Sequence, residues 1–283
     1  MPNYYIYAAE LLLFIIFFLC LYHAWKSGWP AVLQLLAGAA FGVLLELATI
    51  RQLEAYSYGP FAVMVFDVPL VIGLAWGSMI YTARLFSEAT NLPEWARPLL
   101  DALLVLNIDL SMDAIAIRLG MWNWGHGLQF QYFGVPYANF WAWFWVVFCF
   151  SAGLRLFVSR WGWIGRWLAP FIALGVGLLG VVFTNQLITY SIPVASHEIA
   201  VGVVILASLV IVLVLRPRLK SHSEALTGWV PLIMHLYFLA AGLISGILLN
   251  IPFLLAVSLA MLFLSVFVHR PFRPKARSAL ATD

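Results

Sequence analysis

Residues 98–118 read PLLDALLVLNIDLSMDAIAIR. The stretch is long enough to cross a bilayer as one helix, which takes about 20 residues, yet it carries Asp101, Asp109 and Asp113. Ionisable groups inside a span cost roughly 2.5–3.5 kcal/mol each on insertion scales, so they face a protein interior rather than lipid. Asp109 and Asp113 are four residues apart. They share one helix face, with about 6 Å of rise between them. Two carboxyl groups this close in a low dielectric do not ionise together easily. A carboxylic acid beside a carboxylate is the arrangement that general acid–base chemistry uses. A purely structural pair, hydrogen-bonded between helices with Asn107 and Ser111 nearby, is the alternative. Asp101, toward the other end of the helix, reads as structural.

The rest of the chain fits the same setting. Of 283 residues, 64% are hydrophobic and only 10% charged, against about 25% charged in soluble domains. That excludes a cytosolic enzyme, a disordered chain and a disulfide-stapled secreted domain. A net charge of +3 is too small to suggest a nucleic-acid partner. Cys20 and Cys149 lie in apolar runs without metal spacing and read as buried free thiols. The N-terminal run has no Lys or Arg before Glu10 and no cleavage site, so it reads as a first membrane helix rather than a removable signal peptide.

Nine spans are expected, near 5–25, 31–50, 68–87, 98–118, 139–158, 167–189, 197–215, 229–249 and 252–268. They must be helical, because lipid offers backbone groups no hydrogen-bond partner. With the N-terminus outside, 13 of the 15 basic residues fall in cytoplasmic segments and only Arg51 and Arg118 lie outside. The asymmetry predicts N-terminus out and C-terminus in. The expected fold is an all-α polytopic membrane bundle in one domain, 1–283. Its last four helices cover 167–268, and a basic cytoplasmic tail, 269–283, would also attract anionic lipid. The last two spans, joined at Asn250-Ile251-Pro252, are expected to form a tight hairpin.

A shift of 67 residues brings out a repeat. Glu46-x-x-x-Ile50-Arg51 falls on Asp113-x-x-x-Ile117-Arg118, Phe66-x-Val68-Pro69 on Phe133-x-Val135-Pro136, and Ala75-Trp76 on Ala142-Trp143. Seven of the 31 positions from 46 to 76 are identical without a gap. Two helix hairpins, about 31–87 and 98–158, would then be related by an axis along the membrane normal. Glu46 and Asp113 would sit at matching depths, and Arg51 and Arg118 at matching places on the rim.

The outer loops are aromatic. Tyr56, Tyr58, Trp122, Trp124, Tyr132, Tyr137, Trp141 and Trp143 exceed an ordinary interfacial belt. Their faces suit a polyene and a carbocation. Asn139, early in a span, is a candidate hydrogen-bond donor to water or substrate. Asp67 reads either as a cap for the third helix or as part of the site mouth. His126 reads as a solvated loop histidine; His197, Glu198 and His235 read as structural. Gly38-x-x-x-Gly42, Gly73-x-x-x-Gly77 and Gly242-x-x-x-Gly246 predict close helix packing. No phosphate loop is present.

The stretches Asp109-Leu110-Ser111-Met112-Asp113-Ala114-Ile115-Ala116, Leu119-Gly120-Met121-Trp122-Asn123-Trp124 and Tyr132-Phe133-Gly134-Val135-Pro136-Tyr137-Ala138-Asn139-Phe140 resemble the membrane carotenoid biosynthesis family. That family includes the carotenoid 1,2-hydratases acting on lycopene, γ-carotene and bisanhydrobacterioruberin. The likeness covers roughly residues 35–150, with Glu46, Tyr58-Gly59 and Val68-Pro69-Leu70 in its first half; the last four helices match in hydropathy alone. The chain has Asp113-Ala114 where the family usually has Asp-Pro, and Asp67-Val68-Pro69 where it has Gly-Val-Pro.

The resemblance implies a multi-pass enzyme of the cell membrane. Its substrate would be a carotenoid or other isoprenoid lipid, with water as co-substrate and no cofactor or metal required. Glu46, Asp113 and Asp109 would be the catalytic acids. Arg51, Arg118, Tyr58, Asp67, Trp122, Trp124, Tyr132, Tyr137, Asn139 and Trp143 would bind the substrate. Alternatives are a proton-coupled transporter, a carotenoid- or lipid-binding membrane protein, or a carotenoid cyclase or isomerase. A prenyl transferase fits less well, since only one acid-rich site exists. A retinal protein is disfavoured because Lys26, Lys220 and Lys275 all lie outside the spans.

Overall fold

The computed structural model describes residues 3–53, 56–220 and 224–269. Among the described residues nine helices carry the architecture: α1 (Tyr4–Ser27), α2 (Trp29–Leu53), α3 (Leu70–Glu88), α4 (Arg97–Arg118), α5 (Tyr137–Gln186), α6 (His197–Val214), α7 (Leu226–Ile244), α8 (Ile247–Asn250) and α9 (Pro252–Val268). Seven helical stretches are long and apolar enough to cross a membrane, and the chain is a membrane protein. Helix covers the expected spans with two departures. The fifth and sixth follow each other within α5, broken only at Gly162 (φ 57°). The eighth stops early: α7 ends at Ile244, and Gly246 turns the chain with a φ of 77°. The expected hairpin turn at 250–252 therefore begins four residues sooner, at Gly246, where glycine tolerates left-handed backbone.

The helix quoted above, α4, is not among the seven apolar stretches. The physical reason is its place. It packs against α3, α5, α6, α7 and α9, so Asp101, Asn107, Asp109, Ser111 and Asp113 are all buried in protein rather than facing lipid. At 1.5 Å per residue its 22 residues still span roughly the ~30 Å of a bilayer core.

Helices α2 and α3 approach backbone to backbone. A Cβ placed on Gly42 would stand 2.6 Å from Trp76 Cβ, and one on Gly77 would stand 2.8 Å from the Ala39 nitrogen. The two glycine motifs expected to pack thus pack on each other.

Among the described residues, four two-residue strands fasten the loops that follow α2 and α4. β1 (Ser57–Tyr58) pairs with β4 (Trp122–Asn123), and β2 (Met64–Val65) with β3 (Val68–Pro69). Val65 opposite Val68 forms a tight turn with Phe66 at φ 54°, and Tyr132 opposite Val135 forms the same turn with Phe133 at φ 48°. The prolines that follow, Pro69 and Pro136, are the N-caps of α3 and α5. Phe-x-Val-Pro is thus a device that reverses the chain and starts a helix. Asp67 does not cap α3, for the cap has no side-chain hydrogen bond. The turn leaves Asp67 on the exposed side, 3.9 Å from Arg51.

Two further buried charges anchor the bundle. Glu10 of α1 accepts the backbone N–H groups of Ala62 (2.9 Å) and Val63 (3.2 Å), which holds the loop before α3 down. Arg155, counted above among the cytoplasmic cations, is instead buried in α5. It pairs with Asp101 at 2.6 Å and donates to Ser87 Oγ at 2.8 Å. A guanidinium inside the bundle needs such a carboxylate partner. Arg155→Ala would leave Asp101 alone and is expected to lower stability by about 3–5 kcal/mol, whereas the paired change Asp101→Leu with Arg155→Met restores most of it. Thermal unfolding in detergent measures both.

Candidate functional site

Glu46 lies in the last third of α2, buried, and three donors from elsewhere in the chain converge on it. Trp76 Nε1 donates to Oε1 at 2.8 Å. Tyr58 Oη donates to Oε2 at 2.9 Å, and Tyr56 Oη donates to the same oxygen. The glycine contact makes the first bond possible, because it brings Trp76 of α3 directly onto α2. Burial first, then the charge of Glu46, push the Tyr56 and Tyr58 phenols well above the ordinary tyrosine range, so both stay protonated donors.

Asp113 has its own set. Trp122 Nε1 donates to Oδ1 at 2.5 Å, and Asn139 Nδ2 to Oδ2 at 2.7 Å. The same Asn139 nitrogen stands 3.1 Å from Asp109 Oδ2. One amide in the first turn of α5 thus bridges both aspartates of α4. The short β1–β4 ladder joins the two acid sites, because Tyr58 and Trp122 are opposed across it.

Glu46 and Asp113 line one chamber. Tyr56, Tyr58, Trp76, Trp122, Trp124, Asn139 and Trp143 complete its polar and aromatic wall, and Met234, Tyr237 and Phe238 close it from α7. Its cavity volume is about 70 Å³. The chamber is therefore a narrow slot, wide enough for a slender chain end and a few waters. Trp76 and Trp143, with ring centroids 4.3 Å apart, divide it from a wider groove between α2, α5 and residues 185–197. That groove shares Glu46, Asn139 and both tryptophans with the chamber.

The remaining candidates lie elsewhere. Asp109 is buried behind the chamber wall and reaches it through Asn139. Arg51 is exposed, against Asp67 and the Phe66 ring. Arg118 donates to the backbone carbonyls of Ala114, Phe133 and Leu128, so it clamps the loop before α5. Tyr132 donates to the Leu110 carbonyl at 2.8 Å, and Tyr137, like Tyr132, is outside the chamber lining. Asp67 likewise does not reach the chamber. An arginine at a helix end satisfies orphan carbonyls there, which is why Arg118 turns outward from the acids. Asn107 and Ser111 do not serve the aspartates. They meet His235 of α7, at 3.0 and 3.2 Å. Among the described residues, no three His, Cys, Asp or Glu side chains converge as a metal site.

Trp76 and the bond from Tyr56 to Glu46 escaped the sequence reading. The 67-residue offset places Trp76 opposite Trp143, which was a usable signal. Tyr56 is one of the loop aromatics, but nothing local in its sequence points it at Glu46.

The fold and site define a membrane helix bundle that encloses acids among aromatics. Residues 7–209 match the model of the carotenoid biosynthesis protein family, and the chain belongs to that family. Membership implies a carotenoid or related isoprenoid substrate. No curated protein and no solved structure matches the chain.

Asn139→Leu removes the amide shared by Asp109 and Asp113 and leaves buried oxygens unpaired. It is expected to destabilise the protein by about 1–3 kcal/mol. Thermal unfolding in detergent, with Asn139→Gln for comparison, tests this.

Proposed function

We propose that this chain is a carotenoid hydratase, adding water across a terminal C1–C2 double bond of an acyclic carotenoid end group of the lycopene, γ-carotene or bisanhydrobacterioruberin type. The observation that carries this reading is that Glu46 and Asp113 line one narrow aromatic chamber. Hydration needs a proton on the less substituted carbon, which creates a tertiary cation, and then a water that gives up a proton. Glu46 and Asp113 divide the acid and base parts between them. Asp109 shares the proton through Asn139. Tyr58, Trp122, Trp76 and Trp143 face the cation with their rings. The wider groove between α2 and α5 suits the long polyene, whose end group passes the Trp76–Trp143 pair into the slot.

The topology belongs to the same proposal. The chain lies in the cell membrane as one domain with nine crossings, N-terminus out and C-terminus in. Its two hairpins descend from a duplication, a reading supported by the matching turns at Phe66 and Phe133. Arg51, Arg118, Asp67, Tyr132 and Tyr137 shape the loops around the site rather than touch the end group. Of the basic tail, residues beyond His269 lie outside the described residues.

Expression in a bacterium that accumulates lycopene tests the activity. Product heavier by one water supports hydration; equal mass with a changed spectrum means a cyclase or isomerase; unchanged pigment favours transport or binding. Asp113→Asn is expected to abolish the hydrated product while the protein remains folded in the membrane, and full activity in that variant refutes the assignment.

A further inference from the structure

Three spaces meet at one side chain. The chamber is the first, and the groove between α2 and α5 the second. The third is a recess of loop residues around Ser57, Gly120 and Leu128. Trp124 alone lines all three. Its backbone is fixed on both sides. Trp122 and Asn123 are tied into the ladder with β1, and Asn123 Oδ1 accepts the Gly125 N–H at 2.8 Å. The Tyr56 ring packs against it at 4.7 Å and 61°.

The indole N–H of Trp124 is buried and makes no well-formed hydrogen bond among the described residues. It stands near the Asp113 carboxyl without closing hydrogen-bond geometry to it. Trp122, by contrast, spends its N–H on Asp113 directly. A buried donor without a partner is costly, on the order of 1–3 kcal/mol, unless something fills the position. The recess offers polar loop surface on one side of the ring and the acids lie on the other. A water between them would accept the Trp124 N–H and face Asp113, with a second lone pair turned to the slot.

We propose that Trp124 holds the water that captures the carbocation, a role that rests on the hydratase reading above. In this step one carboxylic acid, Glu46 or Asp113, gives its proton to C2 and the C1–C2 π bond breaks. The oxygen of the Trp124-held water then forms a bond to C1. That water loses a proton to a carboxylate of the pair, so charge and atoms balance. Trp124 is then a catalytic residue that touches the nucleophile, distinct from the rings that only face the cation.

The test separates protonation from water capture. Membranes carrying wild type or Trp124→Phe are incubated with lycopene in D₂O, and hydrated product and deuterium in recovered lycopene are followed by mass. Trp124→Phe keeps the ring and loses the N–H. It is expected to slow hydration by roughly tenfold, the worth of one hydrogen bond, while deuterium exchange into recovered lycopene continues at the wild-type rate or faster. Trp124→His, which restores a ring N–H, is expected to recover part of the hydration. Equal loss of exchange and hydration, or hydration unchanged in Trp124→Phe, overturns the assignment. Wild type that forms no hydrated product overturns the hydratase reading, and the assignment falls with it.

Discussion

A carboxyl group taken out of water has to find hydrogen-bond donors inside the protein, and this one requirement organises one end of the bundle. Glu46, Asp109 and Asp113 are buried in helices, where neither helix backbone nor lipid offers a donor. Their partners come from loops and from other helices: Tyr56, Tyr58 and Trp76 for Glu46, Trp122 and Asn139 for the aspartates. Each bond pins a segment that would otherwise lie loosely at the membrane surface. Glu10 does the same for the backbone at Ala62 and Val63. The loops over the bundle are thereby part of its interior, and the chamber is the space left between acids that must be supplied and aromatic rings that supply them.

The two halves are alike in outline and unequal in chemistry. Trp76 donates to Glu46, while Trp143, at the offset position, packs on the Trp76 ring. Asn139 bridges the aspartates, and its offset partner is Ile72, an apolar wall residue. Glu46 is surrounded by phenols and an indole, Asp113 by an indole and an amide. The asymmetry rests on the glycine contact of α2 with α3, since Trp76 reaches Glu46 only because the backbones touch.

Much of this was legible in the chain itself. The span 98–118, with acids on one face, foretold a polar helix inside a membrane protein, and α4 sits with five helices around it. The glycine spacings foretold a close contact, and Phe-x-Val-Pro appears twice as a turn before a helix. Other expectations failed for identifiable reasons. Arg155 looked like a cytoplasmic cation, because a basic residue near a helix end usually is one; its partner Asp101 lies 54 residues away. Arg51 and Arg118 each follow an acid by five residues, yet Arg51 turns to Asp67 and Arg118 to backbone carbonyls.

The amino-acid sequence determined the helices and the turns that start α3 and α5, since hydropathy and proline act within a few residues along one backbone. Only the tertiary structure decided which donor meets which carboxyl, and that Trp124 stands where three spaces join. Those meetings depend on the rotation of each helix about its axis and on the packing of segments far apart in the chain. Spacing along a single helix does not record either.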